Sequence, residues 1–448
     1  MYTNHFKLWL SIVTLTFCSV TLGKAPKVKT PNRMAMPKAK ITRVTVFIHG
    51  TTAPFLALFN VRQTLEDTFS GETLYERSMH KVRTSGQLEG SDLLLGLGMI
   101  EITPEIKAKK LNPEFTHKAA YHIVRAFDQI AKTVDPDNEI RRYYTFGWDG
   151  KMSEKARFAA AEELYDALKK IKAEEELQGH TVSFELHAHS HGGQLVFHLP
   201  VIRKQRKEKS FFIDQAIVWG TPLYYPNTRT VTWGMFKKFY SCYSEGDRIQ
   251  PIDIFSTTRH FCHHTLAGTG IVLPSSNADS PFIADIRFLV NGRRNVLGHC
   301  CLFLLDRYFL HAIDIPKRKD VMAILNHLQP LPPLVLGPLL FPYLTHHFDN
   351  DTFDGFHPGG YHRFDINLLE IDKNLILELS RYAIDANGTT VTAERPHIQV
   401  PEALRDAHEE VEQAYADTGY VSEVEKTFWA AQSSLKVVAT PKKKCVKK

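Results

Sequence analysis

Ser190 lies in the run Ala188-His189-Ser190-His191-Gly192-Gly193, after a β-prone segment, Val182-Ser183-Phe184-Glu185-Leu186, and before apolar residues able to form a helix. A seryl hydroxyl is a weak nucleophile until a neighbouring imidazole removes its proton, and that imidazole needs a carboxylate to fix its tautomer. A sharp strand-to-helix turn would hold the Ser190 oxygen clear of a sheet. It would also leave the next backbone N–H, that of His191, at a helix N-terminus where it can stabilise an oxyanion. Strand and helix approach closely at such a turn, so the residues two before and two after the serine must be small. Ala188 and Gly192 meet that requirement. The chemistry these types imply is acyl transfer through a covalent acyl-serine. His189 and His191 flank the serine, but the turn points its neighbours away from the oxygen, so the base must come from elsewhere in the chain.

The elements that would position this turn follow from the hydrophobic pattern. Residues 41–48 are a near-continuous β-branched run of the kind a buried parallel strand needs, ending in His49-Gly50-Thr51-Thr52. Residues 53–118 contain no clear strand and read as cover for a site mouth or as a helix and loops on a sheet face. Residues 115–134 have helical period, with Ala120, Ile123, Val124, Phe127 and Ile130 on one face. A strand over 141–146 ends in Gly147-Trp148-Asp149-Gly150. An amphipathic helix over 153–177 then leads to the serine strand, its Ala and Leu face toward the sheet and its Lys and Glu toward water. Residues 215–219, 238–243 and 282–290 are further strands, and Asn295-Val296-Leu297-Gly298-His299 precedes an apolar helix. Strands alternating with helices imply the α/β class, with a doubly wound, mostly parallel sheet.

The segments FIHGT, FGWDG, LHAHSHGG, VWGTP, SEGDRIQP and NVLGH occur in that order over residues 41–330. Together they resemble the α/β-hydrolase superfamily, in its lipase/esterase branch. Ala188 replaces the first Gly of G-x-S-x-G, a variant familiar in lipases. The resemblance implies Ser190 as nucleophile, Asp247 on the acid loop orienting the base, and His299 after the last strand as general base and then acid. The backbone amides of Thr51 and His191 would be the oxyanion donors, and the order Ser, Asp, His is the one this fold uses. Asp253 is the second candidate for the acid, and His311, His263 and His264 for the base. The implied activity is hydrolysis of a carboxylic ester, of a lipid or other small molecule, with no metal or organic cofactor. The same triad would serve amide or thioester hydrolysis or acyl transfer, and a non-catalytic binding protein could keep these residues, since specificity lies in the covering loops.

Composition frames the rest. At 448 residues, 43% hydrophobic and 23% charged, the chain can bury a sizeable core. The net charge of +6 sits largely at the ends, in Lys24, Lys27, Lys29, Arg33, Lys38 and Lys40 and in Lys442, Lys443, Lys444, Lys447 and Lys448. Such runs are solvated tails, and nucleic-acid binding is not expected. Lys7 followed by the apolar run 8–22 reads as a signal peptide cleaved after Gly23, hence export, with 24–40 a basic linker. The six cysteines show neither metal-ligand spacing nor C-x-x-C; an exported chain allows a Cys242–Cys262 disulfide, and buried thiols are the alternative. A hydrolase domain is expected over 41–330 and a mostly helical extension over 331–448. Pro330, Pro332, Pro333, Pro338 and Pro342 forbid a regular helix in the apolar stretch 331–344. That stretch reads as an extended strap on the core or as a membrane-facing segment, so peripheral membrane contact joins the ester substrate among expected partners. The His-rich run 346–362 matches no metal motif and reads as a polar loop. Residues 366–384 and 401–415 read as amphipathic helices, and the Lys-rich end after Thr440 as disordered.

Overall fold

Strand β1 (Ile41–Ile48) sends Val44, Val46 and Ile48 into one hydrophobic cluster and Phe47 into another, all of them fully buried. A strand that buries both faces belongs inside a sheet covered on two sides, which is what a near-continuous β-branched run predicts. The computed structural model describes residues 40–50, 97–103, 119–136, 140–150, 153–247, 262–271, 281–303, 324, 327–328, 331–350, 360–384, 390–393 and 397–418. Within them β1 pairs in parallel with β3 (Ile140–Gly147) on one side and β4 (Thr181–His189) on the other. Beyond β4 the sheet continues in parallel through β5 (Ile213–Trp219), β6 (Phe236–Tyr243), β7 (Phe282–Val290) and β8 (Gly360–Ile371). Strand β2 (Gly98–Ile102) lies antiparallel against β3 at one edge. At the other, β9 (Asn374–Ile384) runs antiparallel to β8 and carries β10 (Thr390–Ala393) and β11 (His397–Gln399) along its outer side. The result is a mixed α/β architecture with one eleven-stranded, mostly parallel sheet.

Helices cover both faces. Helices α2 (Glu154–Leu177) and α3 (Gly192–Gln205) contribute Leu164, Leu168, Leu195 and Leu199 to the cluster that holds Val46. Helices α1 (Ala119–Val134), α4 (Gly337–Asn350) and α5 (Glu402–Thr418) contribute Phe127, Phe341 and Leu404 to the cluster that holds Phe47. Ser153 caps α2, its hydroxyl accepting the Ala156 N–H at 3.2 Å. Among the described residues no helix is long and apolar enough to cross a membrane.

Several expectations need correction. Residues 53–118 do contain a strand, β2, whose five residues and leading glycine give almost no periodicity to read. The helix α2 buries Arg157 and Glu175 along with its Ala and Leu face. Residues 366–384 are not a helix. They form most of a β-hairpin in which Phe364, Ile366 and Leu368 of one strand and Leu375, Leu377 and Leu379 of the other are buried at period two. Asp372 and Lys373 turn the hairpin with φ of 51° and 63°. The sheet therefore runs straight through residue 330, and the described part of 331–448 holds four strands beside its two helices rather than a mostly helical extension. The apolar stretch 331–344 is buried, with Leu334, Val335, Leu336, Leu340, Phe341 and Leu344 at 0% exposure, which removes it as a membrane-facing surface. It is also not extended. Pro333 opens a 3-10 turn ending at Leu336, Pro338 falls in the first turn of α4 where its missing N–H costs nothing, and only Pro342 interrupts the helix interior. Cys242 and Cys262 are separate buried thiols, not a disulfide. Residues 1–39 and 419–448, including the expected signal peptide and the Lys-rich end, lie outside the described residues.

Candidate active site

The chain leaves β1 toward β3 on one side and reaches β4 on the other, so the sheet order reverses at β1. A crevice opens beyond the carboxyl ends of the strands at such a switch point. Ile48 pairs with Ala188 there, which brings His49-Gly50 beside His189-Ser190. Ser190 turns the chain from β4 into α3 with φ of 51°, a left-handed backbone rare for a residue with a side chain. Its N–H donates to the Trp219 carbonyl at 2.9 Å and its own carbonyl accepts the Gly193 N–H at 3.0 Å, so both neighbours fix the turn. The close approach is literal: a Cβ on Gly50 would sit 2.6 Å from the Ser190 Cβ, and one on Gly192 would collide with the His49 carbonyl.

Asp247 follows β6 and His299 follows β7, and both converge on Ser190. The His299 Nδ1–H donates to Asp247 Oδ2 at 2.7 Å, and His299 Nε2 accepts the Ser190 hydroxyl at 2.8 Å. A carboxylate only accepts, so the partner on Nδ1 decides the tautomer and leaves the Nε2 lone pair facing the serine. Asp247 is 1% exposed, Ser190 5% and His299 7%. Beneath the pair lies Gly220, at φ of 55°, whose Cβ would stand 3.0 Å from Asp247 Oδ2 and 3.4 Å from His299 Nδ1. Only glycine fits both that torsion and that gap. The sequence placed Gly220 in a strand-ending Gly-Thr-Pro; its place under the acid–base pair was not legible there.

Compared with protein-family models, with curated proteins and with solved structures, the chain finds no match. The arrangement of side chains is therefore the ground on which function is argued.

Three more histidines support the turn. His49 donates from Nδ1 to the Gly50 carbonyl at 2.6 Å and accepts the Trp148 N–H at Nε2 at 3.1 Å. The Trp148 indole closes the loop on the His49 carbonyl at 2.8 Å. His189 donates from Nε2 to the His299 carbonyl at 3.0 Å and stacks on Phe303 at 5.2 Å between ring centroids. Burial, joined by the neighbouring His299, pushes its pKa down to about 3, so the ring is neutral. His191 accepts an N–H of the buried Arg157 guanidinium at 2.9 Å, and the same guanidinium pairs with Glu154 at 2.9 Å. Apart from the local His49–Gly50 and Glu154–Arg157 pairs, these contacts join residues from different elements and were not legible in sequence.

Of the remaining expected residues, His191 stands immediately before α3, with its amide at the helix N-terminus. Thr51, Asp253 and His311 lie outside the described residues. His263 pairs its backbone with Leu223, and His264 lies 5.9 Å from the Tyr243 ring. Burial lowers the pKa of His264. The imidazole hydrogen-bonded to Ser190 is that of His299. Among the described residues no cluster of three or more His, Cys, Asp or Glu is placed to hold a metal ion.

Proposed function

We propose that this chain is an exported serine hydrolase of the α/β-hydrolase type that cleaves carboxylic esters, of lipids or other small molecules, through an acyl-enzyme. The observation that carries it is the unbroken hydrogen-bonded path from the Ser190 hydroxyl through both nitrogens of His299 to the Asp247 carboxylate. The left-handed serine at the end of a parallel strand, opening a helix, supports it independently.

In this mechanism His299 Nε2 takes the hydroxyl proton as Ser190 Oγ attacks the ester carbonyl carbon. Asp247 stabilises the imidazolium that forms and keeps the ring oriented. The developing oxyanion is met by the His191 amide at the α3 N-terminus and, as the resemblance to this fold implies, by the amide of Thr51. Each such donor contributes roughly 3–4 kcal/mol to the transition state. His299 then gives its proton to the departing alkoxide, leaving an acyl-serine. A water, deprotonated by the same nitrogen, hydrolyses it. Burial of the acid and base in a water-poor setting strengthens each of these interactions.

The test is labelling by a fluorophosphonate, which requires an activated serine, of the wild type beside Ser190→Ala. Labelling confined to the wild type supports the mechanism, and a folded wild type that resists labelling removes it. Acyl nitrophenyl esters of increasing chain length then separate a lipase from a short-chain esterase, and matching anilides and thioesters test the neighbouring chemistries.

A further inference from the structure

The loop that bears Asp247 is fastened to the part of the sheet that lies beyond residue 330. Arg287 of β7 is 2% exposed, and its guanidinium forks onto Asp365 of β8, with Nε to Oδ1 at 2.9 Å and Nη2 to Oδ2 at 2.6 Å. The remaining nitrogen, Nη1, donates to Glu245 at 2.5 Å, two residues before Asp247. Tyr382 of β9 completes the cluster by donating its hydroxyl to Asp365 Oδ2 at 2.5 Å. The fork is a rigid, bidentate clamp, so its third bond fixes where Glu245 can be.

The other side of the same loop abuts the loop of the base. A Cβ on Gly246 would stand 2.6 Å from the Leu297 carbonyl and 2.8 Å from that of Asn295, and Ser244 donates to the Arg294 carbonyl at 3.2 Å. The base loop is pinned to β8 in its turn: the Asn291 N–H donates to the Leu368 carbonyl at 2.9 Å, and the Gly292 N–H to Asn367 Oδ1 at 2.7 Å. Both loops that present the acid–base pair thus take their placement from β8.

We infer that Arg287 is a positioning residue for Asp247, acting through Glu245, and that the β8–β9 hairpin is part of the apparatus that sets the Asp247–His299 distance. This inference rests on the hydrolase mechanism proposed above. Arg287 itself is a poor target, because removing a buried cation from its carboxylates threatens the fold. Glu245, with a side chain 41% exposed, is the better one.

The experiment measures ester hydrolysis and fluorophosphonate labelling for wild type, Glu245→Ala and Glu245→Gln, each checked for folding by circular dichroism. Loosening Asp247 should lower kcat in Glu245→Ala by about ten- to a hundredfold, the scale on which small misplacements act, with KM little changed. The weakened Asp247 field should also move the acid limb of the kcat/KM profile to lower pH, since the carboxylate favours the imidazolium. Glu245→Gln keeps an acceptor for Arg287 and should recover most of the rate. Wild-type rate and an unmoved acid limb in Glu245→Ala overturn the inference while leaving the hydrolase mechanism standing. A folded but unreactive wild type overturns both.

Discussion

His189 offers a thermodynamic test that needs no substrate. The ring is 4% exposed, and burial together with the adjoining His299 holds its pKa at about 3. In the unfolded chain an imidazole titrates at about 6.5. Between those values the unfolded chain takes up a proton that the folded protein refuses. Stability present above the unfolded pKa is therefore lost as pH falls toward the folded one. Each pH unit in that window costs about 1.4 kcal/mol, so the two units from about pH 6.5 to 4.5 remove about 3 kcal/mol through this one ring. That is a large share of the roughly 5–15 kcal/mol by which domains are stable. Gln at 189 keeps an N–H within reach of the His299 carbonyl but does not titrate. Urea unfolding of wild type and His189→Gln at about pH 7.5 and 4.5 gives the comparison, in which lost stacking on Phe303 and all other titrating groups cancel. The wild type should lose about 3 kcal/mol more than the variant between the two conditions. Equal losses would refute the assignment of a buried, neutral ring to this position.

Asp247→Asn should leave the fold intact and cut kcat by about 10⁴, because the amide cannot hold the His299 tautomer; ester hydrolysis at saturating substrate measures it. Gly193→Ala drives a methyl into the Thr221 side chain and should cost about 1–3 kcal/mol by urea unfolding, with part of the loss relieved in Gly193→Ala/Thr221→Ser. Phe341→Ala empties a place against Tyr240, at 4.7 Å between centroids, and against Trp219, and should cost about 3–5 kcal/mol in the same assay. Cys242, buried with its thiol pKa pushed up by burial and then by Asp285, should remain unalkylated by iodoacetamide in the native protein and react once unfolded, as peptide mass mapping would show.

What the sequence made legible was wherever a single signal dominated. The β-branched run of β1 and the apolar ends of β5 and β7 can be little else, and AHSHGG confines a serine to a tight turn between strand and helix. Asp247 and His299 came from the resemblance to the acid and base loops of α/β-hydrolases, and the hydrogen bond to Ser190 singles out His299 from His263 and His264. The hairpin of β8 and β9 was misread for a physical reason. In Ile366-Asn367-Leu368-Leu369-Glu370-Ile371 the apolar residues are dense enough to satisfy a period of 3.6 as well as one of 2. The turn at Asp372-Lys373 also lacks the glycine that usually marks such a turn. Arg157 beside His191 and Arg287 between Asp365 and Glu245 were beyond reach altogether. They are charges buried against partners 34 and 42 or more residues away, and hydropathy reads such residues as solvated.

The two-sided sheet has a consequence for anyone who would redesign this protein. Along β5, Ala216 and Val218 belong to one hydrophobic cluster, and Ile217 and Trp219 to the other. Adjacent positions in the chain thus solve separate packing problems, while Trp219 shares its problem with Phe341, more than a hundred residues away. Combinatorial libraries should be divided by sheet face rather than by stretch of sequence. Changes within one face would then be expected to interact, and changes on opposite faces to combine closer to additively.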